Sequence, residues 1–226
     1  MSRQQVELDP KAVPMQDRAR ATYELIIEAT GELLSEVGFE RLSTNMIAER
    51  AGLTPPALYR YFPNKYAVLR EMGRRLLEAE AAIIHKWMRS DEYTIGGDLY
   101  EEVVRRAAVM DEVRAVIDAQ PGGAWIHRAM RAIPLLRDVQ CDAVRAAANT
   151  AVDRMTKDYP RIDPRRVRAA SLLSATVASA VNELILDEPD LAELLTQEAS
   201  KMVSLYNRDV ALSRLPKAPV DTEPRK

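Results

Sequence analysis

Cysteine is almost absent from this chain of 226 residues, and its scarcity excludes several classes of protein. The single thiol, Cys141, has no partner for an intramolecular disulfide, a pattern typical of proteins from a reducing cytoplasm. The two histidines, His85 and His127, are too few to form the ligand cluster that a metal site needs. We therefore expect a cytoplasmic protein without disulfides and without a bound metal.

Long apolar runs and a strong excess of one charge are also missing. No stretch of 18 or more apolar residues occurs, and the N-terminus lacks the apolar segment of a signal peptide, so we predict no membrane partner. The formal net charge is −2, so any contact with nucleic acid must come from a local basic patch. Apolar residues make up 47% of the chain, which is enough for a sizeable core.

Motifs of catalysis and of cofactor binding are absent as well. Gly96-Gly97 and Gly122-Gly123 follow no predicted strand, so they do not resemble phosphate-binding loops. No nucleophile–base pair and no paired carboxylates stand out. We predict no enzyme, no catalytic residue and no cofactor.

The chain is instead rich in helical periodicity. Ile26, Ala29, Leu33 and Val37 recur on one face of a helix, and Gly38 follows where a helix commonly ends. Similar patterns predict helices at 17–37, 44–51, 56–62, 65–89, 98–119, 122–132, 135–157, 164–187 and 190–210. Because no segment has the period of a strand, the predicted fold is all-α.

The helices at 44–51 and 56–62 are joined by Gly52-Leu53-Thr54, the arrangement of a helix-turn-helix. We expect a positive φ at Gly52, where the chain reverses. Residues 41–75 contain seven basic and two acidic side chains, a local excess of five positive charges. Such a patch is the electrostatic footprint of an element that faces DNA.

Two prolines stand at the start of the second short helix. Prolines cost little in a first helical turn, and since Pro56 disfavours helical geometry at Pro55, the helix is predicted to begin at Pro56. The rigid apolar surface of the pair suits thymine methyl groups, and Arg60 would reach a guanine or a phosphate. A helix start without any contact to DNA is the alternative.

The run GFERLSTNMIAERAGLTPPALYRYFPNKYAVL resembles the N-terminal domain of TetR-type transcriptional regulators. The match covers about residues 20–70, and many spaced positions agree, among them Leu-Tyr-x-Tyr-Phe-x-x-Lys across the recognition helix. Beyond residue 75 only the helical layout is similar. The resemblance implies a three-helix, helix-turn-helix DNA-binding domain, followed by a larger helical domain that binds a small ligand and dimerises.

The resemblance also assigns DNA contacts by position. Thr44, Tyr59, Tyr61 and Lys65 match positions that touch the phosphate backbone, although Thr44 stands where an aliphatic residue is more usual. Three further residues, Pro55, Pro56 and Ala57, match positions that face base edges. The complete predicted set is Ser43, Thr44, Thr54, Pro55, Pro56, Ala57, Tyr59, Arg60, Tyr61 and Lys65. Packing roles for the two tyrosines and a solvated Lys65 are the alternatives.

Four regions are predicted along the chain: a flexible arm at 1–15, the helix-turn-helix domain at 16–66, the ligand-binding and dimerisation domain at 67–212, and a flexible tail at 213–226. Large apolar side chains of the third region would line a pocket for an apolar or amphipathic ligand. These are Trp87, Met88, Met110, Trp125, Met130 and Met155. Arg128 and Arg131 would pair with an anionic group of the ligand or lie at the surface. Ordinary core packing of each is the alternative.

The helix at 164–187 has two separate faces that contain no charged side chains. The face with Leu173, Val177, Ala180, Val181 and Leu184 suits the core of the subunit. The other face, made of Ser171, Ala175, Ala178 and Asn182, suits close contact across a two-fold axis. We therefore predict a homodimer with a four-helix interface that adds Leu191, Leu194, Leu195 and Met202 from the next helix. The alternative is that the small-residue face packs within its own chain.

These patterns predict a repressor that binds double-stranded DNA at a palindromic operator, because a helix-turn-helix dimer reads two half-sites about one helical turn apart or a multiple of that. A small apolar or amphipathic effector would release it by binding better to the conformation that does not fit DNA. The alternatives are a constitutive or architectural DNA-binding protein without a ligand, and a helical enzyme.

Overall fold

The computed structural model describes residues 6–11 and 16–212, and within these ranges the regular structure is helical throughout. Nine α-helices occur there: α1 Asp17–Arg41, α2 Thr44–Arg50, α3 Pro55–Tyr59, α4 Lys65–Arg89, α5 Leu99–Ala119, α6 Gly123–Ala132, α7 Arg137–Asp158, α8 Pro164–Asp187 and α9 Ala192–Leu212. Short 3₁₀ turns at Pro134–Leu136 and Pro189–Leu191 lead into α7 and α9. The predicted all-α fold is confirmed.

Side chains at the starts of several helices accept hydrogen bonds from free backbone N–H groups. Ser43 accepts from the N–H of Met46 at 3.3 Å, and Asn64 accepts from the N–H of Ala67 at 3.0 Å. Asp163 does the same for Arg165 at 2.9 Å. Each bond satisfies a donor that the helix itself leaves unpaired, so these residues set where α2, α4 and α8 begin.

Several predicted helix boundaries differ from the structure by a few residues. Gly38 interrupts α1 with non-helical geometry at a φ of 70°, as expected of a residue that ends a helix, and helical structure resumes beyond it to Arg41. Helix α3 ends at Tyr59 rather than near residue 62. Helix α3 begins at Pro55 rather than Pro56, with Thr54 in extended geometry as its N-cap. The expectation that Pro55 lies at or outside the cap was wrong, because the first two helical positions need no N–H and therefore accept both prolines.

One hydrophobic core joins the first helices to the middle of the chain. Tyr23 of α1, Phe62 of the loop before α4 and Leu69 of α4 belong to one buried cluster. Val113 of α5 and Ile126 of α6 belong to the same cluster. The predicted domain boundary between residues 66 and 67 therefore lies inside α4, whose first turns complete the core of the helix-turn-helix. The domain limits remain a prediction.

Helices α7, α8 and α9 pack along one another and against α4 and α5. Among the described residues, α8 is long and apolar enough to cross a membrane by length and composition alone. In the structure, however, one side of α8 lines an internal cavity with polar residues such as Ser174 and Asn182. In this structure the side chains of α8 therefore face other helices, the cavity or solvent.

The predicted flexible arm and tail lie mostly outside the described residues, namely at 1–5, 12–15 and 213–226. Residues 6–11 lie against the helix-turn-helix. The N–H of Lys11 donates to the carbonyl of Tyr61 at 2.8 Å, and the amide of Asn64 donates to the carbonyl of Glu7 at 2.7 Å. This part of the arm is therefore hydrogen-bonded to the loop before α4.

Candidate DNA-binding surface and internal cavity

Helices α2 and α3 form a tight helix-turn-helix around a filled core. Ile47, Ala48 and Leu58 are fully buried between them. The turn passes through Gly52, whose φ of 66° confirms the predicted positive value. After it, the N–H of Leu53 donates to the carbonyl of Ala48 at 2.8 Å, which closes the turn. The geometry holds α3 at a fixed angle to α2.

The tip of α3 points its predicted base-reading residues outward. Thr54, Pro55, Pro56, Tyr59 and Arg60 are exposed, with Ala57 half-buried beside them. The hydroxyl groups of Thr44 and Tyr59 share a hydrogen bond of 2.9 Å, so that a residue predicted to contact phosphate on α2 is tied to one on α3. This bond orients both hydroxyl groups toward one surface.

Two other predicted DNA contacts have structural partners. Ser43 caps α2, as described above. The ring of Tyr61 is half-buried and packs edge-on against Tyr23, with ring centres 6.2 Å apart. The packing role that was open for Tyr61 is thus present, and its contact with DNA remains a prediction.

Lys65 does not extend freely toward solvent. Its ammonium donates to the carbonyls of Phe39 at 3.1 Å, Glu40 at 3.3 Å and Leu42 at 2.9 Å. An ammonium has three N–H donors, so all of them are directed at the C-terminal end of α1. In this structure Lys65 fastens α4 to α1, where a cation also suits the helix dipole, and its contact with a phosphate remains a prediction.

The local excess of positive charge is largely neutralised by folding. Arg50 pairs with Glu32 and Glu36, and Arg70 pairs with Asp138 at 2.6 Å. The neighbouring Arg74 and Arg75 pair with Glu71, Glu78 and Glu24. Most of these acids lie outside the counted segment, so a count along the chain could not include them. Among the described residues, Arg41 and Arg60 of this segment have no carboxylate within ion-pair distance.

A second site is a cavity of about 120 Å³ that is lined by residues of α4, α5, α6, α7, α8 and α9. Its walls are mostly aliphatic and small side chains, and its volume is several times what one water needs. Of the predicted ligand residues, Trp87, Met88, Met110 and Met155 line it. Such a concave and mainly apolar space is the usual form of a small-molecule site.

Trp125 and Met130 do not line this cavity, and a ligand contact of either residue remains a prediction. The ring of Trp125 lies beside Gly38, and Met130 is buried against Gly73. Arg128 stacks over Trp125 and donates to the carbonyl of Leu186 at 2.9 Å. Helical periodicity shows that these residues share an apolar stripe on α6, but not which neighbour that stripe meets.

Polar groups line the cavity as well, and composition alone did not point to them. His127 and Glu80 are both buried and share a hydrogen bond of 2.7 Å. Gln140 donates to the hydroxyl of Ser179 at 2.7 Å. Three buried atoms of lining residues have no protein hydrogen-bond partner: Trp87 Nε1, His127 Nδ1 and Gln140 Oε1. In the sequence, the signal that could have identified these groups is a single polar residue within an otherwise apolar helix face.

The two faces of α8 agree only in part with the prediction. Ser171, Ala175, Ala178 and Asn182, proposed for the dimer interface, line the cavity. On the face assigned to the core, Val181 is buried, but Leu173 is 54% exposed and Leu184 is 48% exposed. Small residues on α8 leave space beside α7, which explains why the cavity exists there. The cavity lining supports the intramolecular alternative for the small-residue face, and the dimer contact remains a prediction.

The part of the predicted interface on the next helix remains accessible. Leu191, Leu194 and Met202 are exposed by 45%, 55% and 52%. Leu195 is partly buried instead, against a small cluster that contains Val181 and Ala199. Exposed apolar side chains therefore occur on α8, on the turn that follows it and on α9. We call Leu173, Leu184, Leu191, Leu194 and Met202 the outer apolar face.

Comparison with known proteins gives a match to the helix-turn-helix. Residues 26–72 match the model of the bacterial regulatory proteins, tetR family. The chain is 44% identical over 143 residues to the tetracycline repressor protein class C of Escherichia coli, which covers 60% of this chain and 61% of that protein. It is 31% identical over 140 residues to the class A protein from transposon 1721, covering 59% and 61%. The chain thus aligns with about three fifths of these relatives' length.

Solved structures extend the likeness over most of the fold. A TetR-family transcriptional regulator from Streptomyces coelicolor superimposes with a TM-score of 0.56 at 25% identity, covering 84% of this chain and 99% of that one. The SmeT–triclosan complex superimposes with a TM-score of 0.61 at 20% identity, covering 91% and 100%. SmeT is the repressor of a multidrug efflux pump of Stenotrophomonas maltophilia. The helical arrangement beyond α4 is therefore shared with these proteins.

Proposed function

From the match of residues 26–72 to the model of the bacterial regulatory proteins, tetR family, we propose that this chain is a transcriptional repressor of the cytoplasm that binds a palindromic operator and is released by a small molecule. The observation that carries the proposal is the helix-turn-helix with its exposed tip. At α3 and its two ends, the side chains of Thr54, Pro55, Pro56 and Arg60 are exposed. A regulator of this kind uses no catalytic residue.

In this proposal the tip of α3 enters the major groove. The apolar rings of Pro55 and Pro56 face base edges, where thymine methyl groups offer complementary contact. Arg60, which has no ion pair among the described residues, contacts a guanine or a phosphate, and Tyr59 and Thr44 hold the backbone with their linked hydroxyl groups. Because most other arginines of the segment are paired, few phosphates are neutralised and the salt dependence should be shallow.

Palindromic recognition requires two copies of the chain, and we propose that the outer apolar face supplies the contact. Its five residues are between 45% and 55% exposed and lie on α8, on the 3₁₀ turn that follows it and on α9. Leaving such a surface in water is unfavourable, whereas a four-helix contact between two copies would bury it. This keeps the predicted homodimer but moves its contact on α8 to the opposite side of that helix.

Leu184→Arg tests this assembly by placing a charge in the outer apolar face. We expect a shift toward monomer in sedimentation velocity and loss of operator binding, with helical content retained. Thr156→Arg places the same charge at an exposed position of α7 and serves as the matched control. A Leu184→Arg protein that remains dimeric would require a different interface.

The effector proposal depends on a physical link between cavity and DNA-binding surface. Helix α6 carries His127, which faces the cavity, and Trp125, whose ring lies against Gly38 at the kink of α1. Gly31 of α1 approaches the turn before α6 so closely that a Cβ there would collide with the carbonyl oxygen of Pro121. A ligand that shifts α6 would therefore shift α1 as well.

Release then needs only a difference in affinity. If the ligand binds more tightly to the conformation whose two α3 helices do not match the half-sites, it lowers operator affinity by the same coupling free energy. The cavity favours this ligand-responsive repressor over the constitutive binder, for which a filled interior would suffice. No catalytic constellation supports the enzyme alternative.

The decisive experiment is selection of binding sites from random duplex DNA by the full chain. We expect enrichment of one palindromic sequence, which labelled duplexes then confirm by fluorescence anisotropy. A variant with both Pro55 and Pro56 changed to alanine should select a different or weaker consensus. Recovery of no consensus sequence by the parent protein would refute the proposal.

A further inference from the structure

Arg106 of α5 is the cationic residue of the described chain that lines the cavity. Its guanidinium lies over the indole ring of Trp87, 5.0 Å from the ring centre, and its Nε donates to the hydroxyl of the buried Ser204 at 3.2 Å. Trp87 lines the cavity too. The cation is thus held in a defined orientation at the cavity wall by the ring of Trp87 and by the hydroxyl groups of Ser204 and Tyr93.

The positive charge of Arg106 is not matched by a close negative one. Among the described residues, no carboxylate lies within 4.0 Å of its guanidinium nitrogens. Glu102, one turn earlier on α5, attracts it from further away, but a carboxylate oxygen of Glu102 accepts the N–H of Gly97 at 2.7 Å. Burial lowers the pKa of Arg106, which shows that removal from water disfavours its charged form. An unpaired cation in such surroundings is costly, and an anion would relieve that cost.

Arg154 provides an internal comparison. It also lies near the aromatic ring of Tyr93, but it pairs with Asp158 at 2.5 Å and donates to three backbone carbonyls. Four of its five N–H donors are therefore directed at protein acceptors. The guanidinium of Arg106 also lies over an aromatic ring, but it has no carboxylate partner among the described residues. This difference separates a cation that is available to a ligand from one that only stabilises the fold.

The remaining cavity wall is long and mainly apolar. Along α7 it runs from Gln140 to Met155, which is about 22 Å of helix. Gln140 contacts Ser179 of α8 at one end, and Met155 contacts Ser171 of α8 at the other, so the two helices run antiparallel beside the space. Alanines between these contacts keep it open. An elongated apolar body fits such a space.

We propose that the cavity binds an amphipathic carboxylic acid, whose carboxylate pairs with the guanidinium of Arg106 and whose apolar body extends between α4, α7 and α8. The proposal rests on the proposed function, in which this cavity is the effector site. A planar guanidinium accepts a carboxylate in two parallel hydrogen bonds. A single negative charge also suits the site better than a doubly charged phosphate monoester, because Glu102 lies on the same helix.

Fluorescence of Trp87 provides a direct assay. The chain has two tryptophans, so Trp125→Phe leaves Trp87 as the sole one, in the cavity wall. This protein is titrated below micelle concentrations with dodecanoate, dodecanol and methyl dodecanoate, and with 4-butylbenzoate and 4-butylbenzyl alcohol. We expect each acid to bind at least about tenfold more tightly than its neutral partner, as a charge-assisted pair would give. The acid that binds more tightly shows whether the site prefers a ligand with a straight-chain or an aromatic apolar body.

Arg106→Gln should abolish the preference for the acids while retaining binding of the alcohols, and Arg106→Lys should retain part of it. Equal affinity of acid and alcohol for the Trp125→Phe protein would overturn the proposal, even if neither Arg106 variant folds. Because the assay contains no DNA, the two proposals fail separately. An acid that binds without releasing the operator contradicts the proposed function, and a neutral compound that releases it while acids do not bind contradicts this inference.

Discussion

The helix-turn-helix and the helices around the cavity are built from the same element but fill their interiors differently. Between α2 and α3, the side chains of Ile47, Leu58 and the adjacent Phe62 are completely buried. Between α7 and α8, facing positions carry alanine and serine, and Gln140 keeps a buried oxygen without a protein partner. The first arrangement holds a few exposed side chains in fixed positions, and the second retains room and polar groups for a guest.

The comparison implies opposite responses to changes of side-chain volume. In a filled core, removal of atoms leaves a void that the surroundings cannot close, and stability falls steeply. Beside an existing cavity, added atoms occupy free space and cost little. The four experiments below test this difference and the roles of the two cations that flank the DNA-binding surface, from the largest expected effect to the smallest.

Phe62→Ala removes the largest side chain of the helix-turn-helix core. We expect a loss of about 3–5 kcal/mol in the free energy of unfolding, because the ring is fully buried and packs on Tyr23 with ring centres 4.8 Å apart. Urea unfolding followed by circular dichroism measures the change. A loss below about 1 kcal/mol would mean that this core is as adaptable as the cavity walls.

Lys65→Ala and Arg60→Ala separate a structural cation from a DNA-binding one. Loss of the three bonds from Lys65 to the end of α1 should cost about 1–3 kcal/mol of stability and leave the salt slope of operator binding unchanged. Arg60→Ala should change stability by less than about 0.5 kcal/mol and lower the slope by about 1 per subunit if it contacts a phosphate. A reduced slope for Lys65→Ala would restore its predicted phosphate contact.

Gly52→Val tests the turn that sets the angle between α2 and α3. The residue has a φ of 66°, and no atom lies within 4 Å of where a Cβ would stand, so the cost comes from backbone strain alone. We expect a loss of about 1–2 kcal/mol. Gly52→Asn is the matched control and should lose less, because asparagine tolerates this conformation. Equal losses would point to a clash rather than strain.

Ala178→Val should have the smallest effect on stability. Its side chain lines the cavity, so two added methyl groups enter open space, and we expect a change within about 0.5 kcal/mol. Ligand affinity should fall instead, measured with the Trp87 assay. A large loss of stability would show that this part of the wall is already close-packed.

The sequence predicted the DNA-binding unit well because its signals are local. Caps such as Ser43 and Asn64, the positive φ of Gly52 and the first-turn prolines depend on neighbours within a few residues. Spacing of Leu58 and Phe62 at one helical turn was enough to place both in the core. The start of α3 was wrong by one residue, since two competing local preferences of proline act there, and its end was wrong by three.

The cavity and the outer apolar face depended on contacts between distant segments. The pattern of α8 contains two apolar faces, and the small-residue face could equally serve a dimer or a cavity until α7 was placed against it. Trp125 and Trp87 looked equivalent in sequence, yet one lies against α1 and the other in the cavity wall. The count of charges along residues 41–75 did not give the charge of the folded surface, for the same reason. Acidic residues of α1 and α7 pair with Arg50, Arg70 and Arg75.

By itself, the sequence determined that this protein is helical, where its helices begin, and that one short pair of them forms a helix-turn-helix. These properties follow from hydrogen bonds and dihedral preferences that act within a turn or two. Only the tertiary structure decided which face of α8 lies inside, that Lys65 holds α1, and that Arg106 faces the cavity without a close carboxylate. Periodicity defines the face of a helix, but burial and charge pairing belong to whatever other segment comes to lie against it.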